Sequence, residues 1–176
     1  MTDPRTRWFA LAAIMLAAAL TRLLPHPPNF NAVGAIALFG GATFSDRRAA
    51  LLVPIAALLL SDLVLGIHRL MPLVYALFGL TVVIGFLLRS RRGALPVASA
   101  AIAAATIFYL VTNAAVWSAG HLYPATLEGL VACYVAALPF YGNGVAGNVF
   151  FCGLLFGGWA LLERGVPSLR ASGVHA

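Results

Sequence analysis

The chain is 176 residues long, 62% hydrophobic and only 9% charged. Soluble domains carry about 25% charged residues, and disordered chains combine low hydrophobicity with high net charge, so both classes are excluded. Five or six apolar spans of about 20 residues with short loops use up this length, which leaves one integral membrane domain over 1–176. The net charge of +6 comes from arginine without a single lysine. Those arginines are dealt out between apolar runs rather than clustered on a polar face, which speaks against nucleic acid as a partner and for membrane lipids.

Residues 8–24 form the first apolar run, behind Arg5 and Arg7. Arg22 sits where a signal-cleavage region is small and neutral, so the run reads as a retained helix. Pro25, Pro27 and Pro28 lack a backbone N–H and stop it; with His26 they make a rigid crossing. The second run, 32–44, is short and glycine-rich, and Arg47 and Arg48 close it. Residues 49–66 carry Asp62 near their end. Residues 71–88 end at Arg89, Arg91 and Arg92. Residues 95–118 carry Asn113 and end near Trp117, and the last run, 145–162, ends at Glu163 and Arg164. The polar tail 165–176 is expected to fray.

Between the last two runs lies an apolar patch at 125–138, flanked by Pro124 and Pro139. With six spans and the N-terminus inside, Arg5, Arg7, Arg47, Arg48, Arg89, Arg91, Arg92, Arg164 and Arg170 flank the inner face, against Arg22 and Arg69 outside. That bias orients both termini to the cytoplasm. A seventh span at 125–138 would push Arg164 and Arg170 outside. The expected fold is therefore all-α: six transmembrane helices plus an outer-side re-entrant or interfacial helix at about 125–138. Non-helical backbone at that depth requires surrounding protein or a water-filled cavity.

In that topology Arg22, Asn29, Asn31, Asp62, Asn113, Glu128, Asn143 and Asn148 all fall in the outer half or at its edge. Ionisable residues in spans face a partner or a cavity, so an Arg22–Asp62 ion pair is expected. The wider cluster reads either as interhelical packing or as a pocket open to the outside. Trp117 and Tyr123 suit an interfacial aromatic belt; with Asn113 one turn away they also suit a stacking and hydrogen-bonding site. His26, His68 and His121 lie on separate outer loops without HxxxH or HExxH spacing, so no metal and no cofactor is expected. There is no GxxxxGK[ST], no GxGxxG and no GxSxG, and an enzyme is not expected. Cys133 and Cys152 sit in apolar runs and read as buried free thiols.

The segments RLLPHPPNF (22–30), GAIALFGGATF (34–44), LLSDLVLG (59–66), TNAAVW (112–117), YPATLEGLVACYVAALPFYGN (123–143) and LFGG (155–158) resemble an uncharacterised family of small bacterial membrane proteins, DUF6580-like. One departure from that pattern is Gly147-Asn148-Val149, where the family tends to show Gly-Asp-Leu. In size and helix count the family is similar to the S components of energy-coupling-factor vitamin transporters. That resemblance implies an outward ligand site, a bacterial inner-membrane location, and a transmembrane coupling subunit with ATPases as partner. It also makes Ala13 and Ala17, a small-xxx-small pair on the first helix, the partner contacts.

The combined expectation is uptake of a micronutrient-sized small molecule. Asn29, Asp62, Asn113, Trp117, Tyr123, Glu128 and Asn143 are the expected pocket or gate residues. Asp62 would fix a cationic or donor group, Asn113 would orient the ligand and Trp117 would stack on it. Pro25, His26, Pro27, Pro28 and Phe30 would form a lid hinge. The alternative is a non-catalytic structural or assembly protein whose outer polar cluster is interhelical packing.

Overall fold

The computed structural model describes residues 4–170. It holds six α-helices: α1 (Pro4–Leu20), α2 (Val33–Thr43), α3 (Arg47–Leu65), α4 (Met71–Phe86), α5 (Ala94–Ser118) and α6 (Leu127–Gly165). Single 3-10 turns follow α1 (Thr21–Leu23) and α6 (Pro167–Leu169). No strand occurs among the described residues.

Four of these helices, α1, α3, α5 and α6, are long and apolar enough to cross a membrane. Large side chains such as Phe9, Leu52, Leu63, Leu95, Phe150 and Leu161 are exposed on them. Apolar surface on this scale needs a non-aqueous surrounding, and the chain is membrane-spanning. The six expected crossings are not met. With 11 and 16 residues, α2 and α4 reach only about 16 and 24 Å at 1.5 Å per residue, against a hydrocarbon core of about 30 Å.

Helix α2 is the centre of the bundle. From Ala35 to Thr43 every residue is buried, as a helix that is apolar all round requires. Its fit depends on absent side chains. A Cβ at Gly41 would strike the Val82 carbonyl of α4, and one at Gly85 would strike the Leu38 carbonyl of α2. The two backbones are therefore in contact. Leu11, Met15 and Ala19, spaced four residues apart, turn one stripe of α1 inward.

The C-terminal carbonyls of α2 are held by arginines from other elements. Arg89 donates to Gly41 O at 3.0 Å and Phe44 O at 2.9 Å, Arg92 to Ala42 O at 2.6 Å, and Arg7 to Thr43 O at 3.2 Å. Cations belong at the negative end of a helix dipole. Partial burial lowers the Arg92 pKa from its ordinary value, and nearby Glu163 opposes that shift. Arg7 also pairs with Glu163 at 2.6 Å.

Two further expectations are corrected. The separate helix at 125–138 and the last run at 145–162 are one continuous 39-residue α6 that runs through Pro139. Proline removes one helical hydrogen bond, and membrane helices tolerate that loss. Thr126 caps the start by accepting from Gly129 N at 3.1 Å. The tail does not fray from residue 165. Leu169 is buried, its carbonyl accepts from Arg7 at 2.6 Å, and Arg170 donates to Glu163 O and Arg164 O. Residues 171–176 of that expected tail lie outside the described residues.

Candidate functional site

Opposite the arginine end, α3, α4, α5, α6 and the strap joining α1 to α2 enclose a cavity of about 360 Å³. The strap follows from its sequence. Thr21 donates its hydroxyl to Ala18 O at 2.6 Å in the last turn of α1, and the prolines then hold the chain extended. Asn29 turns it back with φ +64°, a left-handed conformation that asparagine tolerates. Two contacts fix the strap on α6. Asn143 Nδ2 donates to Pro28 O at 3.0 Å, and Phe30 packs against Phe150 and Phe151 with centroids 5.8 and 5.9 Å away. Gly147 lets the strap backbone at Asn31 approach this closely, since a Cβ there would meet Asn31 N.

The lining combines apolar walls, among them Phe78, Phe108 and Phe140, with polar groups from several elements. The strap and the α3–α4 loop supply Arg22, Asn29, Asn31 and His68. Thr81 comes from α4, Tyr109, Thr112 and Asn113 from α5, and Tyr141 and Asn148 from α6. Asn31 Oδ1 also accepts from Val33 N at 3.1 Å and so starts α2. Asn148 presses on the first turn of α2 at Gly34, where a Cβ would collide with its amide.

Of the residues expected to form the pocket, the structure brings Asn29 and Asn113 to the cavity, together with Arg22. Asp62 does not line it. Its side chain is buried, with Arg22 Nη1 donating to Oδ1 at 2.8 Å and Tyr75 Oη donating to Oδ2 at 3.0 Å. Arg22 Nη1 also donates to Ser61 Oγ. The expected Arg22–Asp62 pair is thus present, with Arg22 on the cavity lining and Asp62 off it.

Trp117, Tyr123, Glu128 and Asn143 are not among the lining residues. Trp117 Nε1 donates to Pro124 O at 3.0 Å and closes the α5–α6 loop, which contains Tyr123. Glu128 stands in the first turn of α6 beside a shallow apolar groove with Leu127 and Val131. Asn143 anchors the strap. Pro25, His26, Pro27 and Pro28 are exposed on the strap and Phe30 is seated on α6. Ala13 and Ala17 are exposed on α1, away from the bundle.

Thr81 and Thr112 escaped the sequence reading, because their hydroxyls satisfy themselves on the preceding helical turn and carry no positional signal, whereas Tyr109 and Tyr141 were visible only as aromatics of the outer half and bond between α5 and α6. Asn148 was visible as an intramembrane amide, but its place on the cavity depends on where α6 begins. Among the described residues no three of His, Cys, Asp and Glu gather into a metal-ligand set. Cys133 and Cys152 are free and buried.

No curated protein and no solved structure matches this chain. The model of a family of unknown function (DUF6580) matches residues 2–169, nearly the whole length, and the chain belongs to that family.

Proposed function

We propose that this protein binds a small molecule in the cavity beneath the proline strap and serves as an uptake component of the bacterial cytoplasmic membrane. The observation that carries this reading is the cavity itself. Its volume of about 360 Å³ falls in the range of small-molecule sites, and its few polar groups on apolar walls follow their usual composition. The bias of arginine to the α2 C-terminal end supports an orientation with that end cytoplasmic and the cavity outward. In this reading the strap is the lid, with Asn29 and Asn31 as its cavity-facing residues. The exposed Ala13 and Ala17 offer α1 a close-packing face for a transmembrane coupling subunit that brings ATPases. The likeness to energy-coupling-factor S components rests on size, helix count and the side of the site.

Native mass spectrometry of the protein released from its own membrane tests this reading. A small molecule bound to the wild type and lost from Asn113→Leu, with unchanged melting, is the expected outcome. Lipid alone in both samples would favour the second reading, a structural protein. That alternative draws on Asp62, whose two oxygens are fully engaged by neighbouring helices and which behaves as interhelical packing.

A further inference from the structure

We infer that the cavity selects an uncharged molecule presenting N–H or O–H donors, an inference that rests on the binding reading above. The basis is how the hydroxyls and amides that α4, α5 and α6 bring to the lining have already spent their hydrogens, which leaves the remaining donors to Arg22, His68 and the strap. Thr81 donates its hydroxyl to Leu77 O at 2.9 Å, Thr112 to Phe108 O at 2.7 Å, and Tyr109 to Tyr134 O at 2.7 Å. A hydroxyl has one hydrogen, so each of these turns only lone pairs toward a guest. Tyr141 Oη lies 2.9 Å from Thr106 Oγ1. Because Thr106 donates to Ile102 O at 2.8 Å, the shared hydrogen belongs to Tyr141. Asn113 and Asn148 each commit an amide hydrogen to the backbone, to Tyr109 O at 2.8 Å and Ala101 O at 3.2 Å. Asn148 Oδ1 remains as an acceptor, and Asn113 Oδ1 accepts only from the Cys133 thiol at 4.0 Å, against one remaining amide hydrogen each.

The charges narrow the class further. Among the described residues no carboxylate lines the cavity. The neighbouring Asp62 is neutralised by Arg22 and capped by Tyr75, so a buried cation would find no counter-charge. An anion finds no net counter-charge either, because the lining Arg22 is already paired with Asp62. A neutral donor meets neither penalty, and leaving the acceptors unmatched is what penalises a guest that lacks donors.

Three probes of one shape separate these cases: benzamide, benzoate and benzylammonium, titrated against the full-length protein in nanodiscs by saturation-transfer NMR. Benzamide is expected to bind at least tenfold more tightly than either ion. The double substitution Thr112→Val/Asn113→Leu is expected to weaken benzamide about tenfold, while Thr112→Ser, which keeps the hydroxyl oxygen, leaves it within twofold. Melting curves of each variant confirm a folded sample. Should benzoate or benzylammonium equal benzamide and still respond to the double substitution, the neutral-donor inference fails while the binding reading stands. Should no probe bind, or should the double substitution change nothing, both fail.

Discussion

Asp62 and Asn113 both looked like ligand contacts because both are polar groups at similar depth in apolar helices. The difference between them is what each one touches. Asp62 is 3% exposed and holds Arg22 and Tyr75, whereas Asn113 lines the cavity. Removing one partner of a buried ion pair leaves the other charge uncompensated, at about 3–5 kcal/mol. Asp62→Ala is therefore expected to lower stability by roughly that amount, read as a fall in thermal midpoint in detergent. An unchanged midpoint would show that Arg22 has another counter-charge. The pair itself was legible, because a carboxylate and a guanidinium at one depth in hydrocarbon have few other partners. That Asp62 stands off the cavity lining while Arg22 stands on it was not, since that depends on the rotation of α3.

Two features dominate at the level of the helix. The contact of α2 with α4 works because Gly41 and Gly85 bring backbone against backbone. Gly85→Ala forces that contact apart, and overpacking of this kind costs about 1–3 kcal/mol; a lower unfolding temperature with unchanged helicity by circular dichroism is the expected signature. The glycines announced close packing in the sequence, but not the partner. The other feature is α6. Pro139 marked the end of the expected patch, and the sequence-based boundary failed there because helical hydrogen bonding in a membrane outweighs local propensity. Spin labels at the exposed Val131 and Phe150 should lie about 28 Å apart along a continuous helix at 1.5 Å per residue. A much shorter separation would restore the re-entrant arrangement.

For the molecule as a whole, the charge pattern was the most readable feature. The chain direction of the helices collects Arg7, Arg89 and Arg92 around one end of α2, as the spacing of arginines between apolar runs implied. Their second task, closing the carbonyls of α2, was invisible, because α2 was expected to span rather than to end inside the bundle. The cavity was legible only as a tendency of polar residues toward the other end. These helices are apolar on nearly every face, so no stripe told which residues turn toward one another. Orientation is open to a direct check. In intact cells lacking the two native cysteines, a cysteine at Arg69 should react with an impermeant maleimide and one at Arg91 should not; the reverse pattern would invert the assignment.

The burial of α2 sets a limit on traffic. The cavity touches α2 at its first turn, at Val33 and Gly34, where Asn148 of α6 presses on it. Beyond it stand nine consecutive buried residues, Ala35 to Thr43, and then the arginine clasp. On the proposed binding reading, a guest passing toward the arginine end along α2 would have to displace that helix.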